Sequence, residues 1–205
     1  MFKNIIKELK DHSSYTALGA LTGIIILFFF FKIPSNIAYN IFYTLHPLHV
    51  LLSAIVTTAI YKIHVKKPKL WALILIGYVG SIGIGTLSDS LIPYLGEILF
   101  NLPNAEPHIG FIEEWQIVNP LAFLGILIGF YWPRTKFPHF GHVLLSTWAS
   151  LFHIILALGA TISFTIAILI FVFLFIAVLI PCCMSDIIFP LLFVKKGVKC
   201  GCHYH

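Results

Sequence analysis

Two pairs of histidines, each followed by the same short run of residues, are the part of this chain best suited to chemistry. Residues 46–53 read His-Pro-Leu-His-Val-Leu-Leu-Ser, and residues 139–146 read His-Phe-Gly-His-Val-Leu-Leu-Ser. In an α-helix, residues three apart lie on one face, so the two imidazoles of each pair point the same way. Imidazole binds zinc and other transition metals, and it titrates near physiological pH. The spacing therefore favours metal binding or proton transfer.

An aspartate follows each histidine pair at a similar distance along the chain. Residues 88–93 read Ser-Asp-Ser-Leu-Ile-Pro, and residues 185–190 read Ser-Asp-Ile-Ile-Phe-Pro. Two imidazoles and a carboxylate suit a divalent metal ion such as zinc, iron(II) or manganese. The alternative is that these side chains only hydrogen-bond between helices and hold them together. We predict metal ligands at His46, His49, Asp89, His139, His142 and Asp186.

A second set of polar residues could assist such a site. Its carboxylates fall in residues 90–114, an acidic stretch without Lys or Arg that we interpret as a long outer loop. Such a loop is either simply solvated or attracts cations. The two cysteines are expected to be reduced thiols. These accessory candidates are Glu97, His108, Glu113, Glu114, His153, Cys182 and Cys183. The C-terminal residues 200–205, Cys-Gly-Cys-His-Tyr-His, form a separate tract of a kind that can chelate soft metals.

The elements that position these residues are predicted from hydropathy. Of the 205 residues, 59% are hydrophobic and 10% are charged, and the mean hydropathy is +0.96. A membrane span needs about 20 mostly apolar residues. We predict an all-α polytopic membrane protein in contact with the lipid bilayer, and its net charge of +5 reflects topology rather than nucleic acid. The six predicted spans are residues 15–31, 45–61, 70–88, 115–132, 141–160 and 163–181.

The basic residues predict the orientation. With six spans and both termini in the cytoplasm, every Lys and Arg except Lys32 falls on the cytoplasmic side. This distribution agrees with the positive-inside rule. We therefore expect an integral protein of the plasma membrane with both termini cytoplasmic.

Internal repetition organises the whole chain. The Gly-x-x-x-Gly pair at 19 and 23 recurs at 125 and 129, so three motifs appear in the same order twice. Three spans per copy would turn the second copy upside down, which gives two inverted three-helix repeats. The predicted regions are a cytoplasmic segment 1–14, repeat one 15–100, an outer loop 101–114, repeat two 115–194 and a cytoplasmic Cys/His tail 195–205. This arrangement separates His49 from His142 across the membrane, which argues against haem bound between them.

Inverted repeats with polar sites are typical of transporters. The leading hypothesis is a small carrier for a divalent metal cation or for a solute moved with protons. An intramembrane metal-dependent enzyme, such as a lipid hydrolase, is the alternative, because a bound metal can activate water. A polar set divided between the two membrane faces favours transport, so we expect no enzyme. A purely structural membrane protein is a further alternative. The chain could also form a homo-oligomer.

Overall fold

The described part of the chain is entirely helical. The computed structural model describes residues 2–65, 67–158 and 163–194. Its main helices are α1 (Phe2–Phe30), α2 (Ser35–His64), α3 (Leu70–Leu99), the single turn α4 (Gly110–Glu113), α5 (Trp115–Tyr131), α6 (Lys136–Ala157), α7 (Phe164–Cys183) and the short α8 (Phe189–Leu192).

Five of these helices are long and apolar enough to cross a membrane. They are α2, α3, α6, α7 and residues Ser13–Phe30 of α1. The sixth predicted span corresponds to α5, which is apolar but has only 17 residues. The chain is thus a helical protein suited to a membrane, and the count of six spans stays a prediction. The orientation of the termini also stays a prediction, and the tail 195–205 lies outside the described residues.

Helix α2 lies at the centre of the bundle. It packs against α3, α5 and α6, and its buried residues extend from Ala38 to Tyr61. Close approach to α5 depends on two glycines: Gly125 faces the carbonyl of Leu51, and a Cβ at Gly129 would lie 2.6 Å from the carbonyl oxygen of Ile55. Glycine lets the two backbones meet where any side chain would separate them.

The other Gly-x-x-x-Gly pair, in α1, packs on α6 instead of α2. Gly19 of α1 faces Thr147 of α6, and Gly23 faces Leu151. The later glycine of α1 faces the later residue of α6, so α1 and α6 run parallel. The later glycine of α5 likewise faces the later residue of α2, so α5 and α2 are also parallel.

Helices α2 and α6 run antiparallel to each other. Phe42, early in α2, contacts His153, late in α6. Leu52, later in α2, faces Gly141, early in α6. Helix α1 runs parallel to α6, and α5 runs parallel to α2. Therefore α1 and α5 are antiparallel as well.

Helix α3 contains two wide π-helical turns, Val79–Gly83 and Leu87–Leu91. The sequence predicts that this span ends near Ser88 and that an outer loop follows, but the helix continues to Leu99. Pro93 lies in the first turn of the segment Ile92–Leu99, where its missing N–H is tolerated. The nearby carbonyl of Ser88 accepts a 2.8 Å hydrogen bond from the hydroxyl of Ser150 of α6.

Candidate functional site

The side chain of Asp89 is the centre of a buried hydrogen-bond network. Its Oδ2 accepts from Nδ1 of His46 at 2.9 Å and from Nδ1 of His49 at 2.6 Å. Its Oδ1 accepts from the hydroxyls of Ser88 at 2.8 Å and Ser146 at 2.7 Å. None of these side chains is more than 2% exposed. A carboxylate has about four lone-pair positions, so this one is fully used.

Three helices bring this network together. The i, i+3 spacing places His46 and His49 on the face of α2 that meets α3. Asp89 belongs to the second π-helical turn of α3, and Ser146 comes from α6. The structure therefore joins the first predicted trio and adds a serine from the repeated motif of the other half.

The outward nitrogens of the two histidines have different surroundings. Nε2 of His46 has no hydrogen-bond partner among the described residues. It lies beneath Gly110 of α4, where a Cβ would be 2.9 Å from that nitrogen. Nε2 of His49 instead lies 3.5 Å from Nδ1 of His142. The backbone of the connection between α3 and α5 thus covers one histidine, and the other faces a second imidazole.

His49 and His142 are neighbours, which corrects the prediction that they lie on opposite sides of the membrane. Their rings are nearly parallel, with centroids 5.6 Å apart. The prediction was wrong because α2 begins at Ser35, ten residues before the predicted span, so His49 lies near mid-helix. The two imidazoles meet edge to edge, with Nε2 of His49 and Nδ1 of His142 facing each other 3.5 Å apart. Their separation across the membrane therefore no longer counts against haem.

Cys182, at the end of α7, joins these two imidazoles. One ligand atom from each of His49, His142 and Cys182 lies within 4.8 Å of the others, and all three residues are buried. The same relation holds for His46, His49 and Asp89. Neither Cys182 nor the adjacent buried Cys183 forms a disulfide in the described chain.

The second predicted trio is described only in part, so its convergence stays a prediction. His139 packs edge-on against Tyr15 and against His142, with ring centroids 5.9 and 5.5 Å apart. The side chain of Asp186 lies outside the described residues. Its neighbour Ser185 donates a 2.9 Å hydrogen bond to the carbonyl of Gly80.

Serines of the two repeated motifs pair across the halves. The hydroxyls of Ser146 and Ser88 are 3.2 Å apart, and those of Ser53 and Ser185 are 3.3 Å apart. Ser53 corresponds to Ser146 in the repeated sequence, and Ser185 corresponds to Ser88. Ser185 also lies in a π-helical turn, Met184–Ile188, as Ser88 does.

A second buried carboxylate is paired with a histidine. Nδ1 of His153 lies 2.6 Å from Oε1 of Glu97, and both side chains are fully buried. The prediction that Glu97 belongs to a solvated outer loop is wrong because α3 extends to Leu99. Oε2 of Glu97 and Nε2 of His153 have no hydrogen-bond partner within the described ranges. The ring of His108 covers His153, with centroids 5.6 Å apart.

The remaining accessory residues lie around the connection between α3 and α5. Glu113 accepts a hydrogen bond from the Tyr43 hydroxyl, another from the backbone N–H of Ile109 at 2.9 Å, and lies 3.8 Å from His108. Glu114 directly precedes α5 and is partly exposed. These contacts fasten the connection to α2 rather than leaving a row of free carboxylates.

The chain matches no protein-family model, and neither a curated protein nor a solved structure is similar to it. The site offers imidazole nitrogen, thiol sulfur and carboxylate oxygen within one apolar bundle, and these are the donor atoms that zinc and related divalent metals use.

Proposed function

We propose that this protein is a small membrane carrier of two inverted three-helix repeats, which moves a divalent metal cation or a solute together with protons. One observation carries the proposal. His49 and His142, which occupy the same place in the repeated motif, meet where two antiparallel helices cross. Transporters of inverted repeats place their binding sites at the interface between the halves.

The directions of the helices support the inverted arrangement. Helices α2 and α6 carry the same motif and run antiparallel, and so do α1 and α5. For α3 and α7, Gly96 late in α3 faces Phe173 in the middle of α7. Gly80 early in α3 accepts from Ser185, just beyond the end of α7, so these helices are antiparallel too.

The chemistry of the cluster supports a cation as cargo. Asp89 brings a negative charge into a fully buried position, where electrostatic attraction is much stronger than in water. Ionisable groups at membrane depth are costly, and they commonly mark ion or substrate pathways. A divalent cation would offset this charge and occupy imidazole lone pairs that the apolar surroundings leave without water.

Transport by the purified protein in liposomes tests the proposal. Zinc, manganese or iron(II) would be added outside vesicles that contain a metal-sensitive dye, with and without a pH gradient. We expect one of these cations to enter faster than in protein-free vesicles, and Asp89→Asn to lower the initial rate at least about tenfold, since hydrogen bonds to a charged group are lost. Glu106→Gln is the matched control because Glu106 is 73% exposed and should transport normally.

Two outcomes would overturn the carrier proposal. The first is that none of the three cations crosses faster than in empty vesicles under either pH condition. The second is that Asp89→Asn and the wild type transport equally. Metal-dependent hydrolysis of the vesicle lipid, lost in Asp89→Asn, would favour the enzyme alternative.

A further inference from the structure

The geometry around His49 points to a metal site different from the set of residues that the sequence motifs suggest. His49, His142 and Cys182 each place one ligand atom within 4.8 Å of the other two. Nε2 of His49 and Nδ1 of His142 are 3.5 Å apart. Two nitrogens bound to one tetrahedral zinc at about 2.0–2.1 Å are roughly 3.3–3.4 Å apart, so the observed separation needs little adjustment.

Asp89 has no lone pair left for a metal. Four hydrogen bonds, two from imidazoles and two from hydroxyls, occupy both of its oxygens. A carboxylate with all its acceptor positions filled would lose several of these bonds on binding an ion. The site formed by His46, His49 and Asp89 is therefore the poorer of the two.

The contact between Asp89 and His49 has a recognisable role in metal sites. Nδ1 of His49 donates to the carboxylate, so the lone pair of the neutral imidazole is on Nε2, which faces His142. Histidines that bind metals usually donate their other N–H to a carboxylate or carbonyl, which fixes the ring and raises its basicity. Asp89 would then orient His49 without touching the ion.

We infer that His49 Nε2, His142 and the Cys182 sulfur bind a zinc-like divalent cation, with Asp89 as a positioning residue. The Cys182 thiol gives up its proton when the sulfur–metal bond forms, so each ion bound releases one proton from that thiol. Thiolate sulfur favours zinc or a similar metal over manganese. The inference rests on the proposed function only where it identifies this ion as the cargo.

The site does not repeat in the other half. The position that corresponds to Cys182 in the first copy is Gly85. A Cβ at Gly85 would lie 3.7 Å from Cε1 of His49, so both corresponding positions border the same imidazole. Only the second copy supplies a sulfur at this position, so the three-ligand set is not duplicated.

Cobalt(II) and zinc binding to the detergent-purified full-length chain test the inference. All measurements use the background Cys200→Ser with Cys202→Ser, because the thiols of the C-terminal tract could bind metal themselves. We expect one ion per chain and, with cobalt, a thiolate-to-metal absorption band in the near ultraviolet. At the zinc edge, X-ray absorption should show one sulfur at about 2.3 Å beside nitrogens at about 2.0–2.1 Å.

Substitutions then assign the ligands. In this background Cys182→Ser should remove the band and weaken binding at least tenfold, whereas Cys183→Ser, the adjacent buried cysteine, should retain both. Asp89→Asn should keep the band but weaken binding about 10- to 100-fold, the usual effect of losing an outer partner. Since the X-ray measurement needs no further variant, misfolding of Cys182→Ser would not prevent a decision.

The site is wrong if the background protein binds no zinc, if its zinc has no sulfur ligand, or if Cys182→Ser keeps the cobalt band. Failure of the carrier proposal looks different. A thiolate-bound ion in a protein that transports none of the tested cations would retain the site and remove the transport function. Transport by a protein whose bound zinc has no sulfur ligand would retain the carrier proposal and remove the proposed site.

Discussion

Two fully buried carboxylates in this bundle are held in different ways. Asp89 accepts four hydrogen bonds from α2, α3 and α6. Glu97, further along the same helix, has one bond, to His153, and its second oxygen has no partner among the residues described. A network that satisfies every acceptor can lose one member and retain the others. A pair cannot, because removing either member leaves the other buried alone.

The largest effect is therefore expected at the isolated pair. His153→Ala leaves the Glu97 carboxylate buried without its only partner, and breaking such a pair costs about 3–5 kcal/mol of unfolding free energy. Unfolding in mixed detergent–SDS micelles would measure this loss. The double variant Glu97→Leu with His153→Leu should recover most of it, since both polar groups are gone. A double variant no more stable than His153→Ala would show that the pair is not the cause.

A smaller effect is expected when the charge of the Asp89 network is removed. Asp89→Asn keeps the shape but turns one acceptor into a donor, so a histidine N–H or a serine hydroxyl loses its partner. Hydrogen bonds to charged groups contribute about 1.5–3 kcal/mol each, and we expect a loss of about 2–3 kcal/mol in the same unfolding assay. A loss exceeding that of His153→Ala would reverse the comparison.

The smallest effects separate the two serine pairs. Ser146→Ala removes one of the four bonds to the Asp89 carboxylate, and we expect a loss of about 1.5 kcal/mol. Ser53→Ala, at the corresponding position of the first copy, removes only a 3.3 Å contact with the neutral hydroxyl of Ser185 and should cost about 0.5 kcal/mol. Equal losses would show that the carboxylate adds nothing to its serine bond.

Sequence patterns predicted part of this arrangement for clear physical reasons. Hydropathy alone is sufficient to predict a helical membrane protein, because each span must bury its own backbone polar groups. The group of His46, His49 and Asp89 follows from helical spacing and from a short connection to an adjacent antiparallel helix. Both features are local, so the sequence contains them.

The structure places three of the predicted residues differently from the prediction, because of features that hydropathy does not report. His142 reaches His49 because α2 begins in a polar stretch before its apolar residues, at Ser35. Glu97 is buried because α3 continues past Pro93, which brings this carboxylate to His153 of α6. Cys182 corresponds to a glycine in the other copy, so comparison of the repeats placed it among the accessory candidates and not among the metal ligands.

The wide turn Leu87–Leu91 determines the direction in which the side chains of the later residues of α3 point around the helix axis. A π-helical turn holds one residue more than an α-helical turn, and one residue rotates an α-helix by about 100°. Whether Glu97 points toward His153 or away from it thus depends on this turn staying wide. If the turn tightened to an α-helical one and kept all its residues, the carboxylate of Glu97 would move about 100° around the helix. A one-residue deletion in the turn would instead leave an α-helical turn and nearly preserve the direction of Glu97.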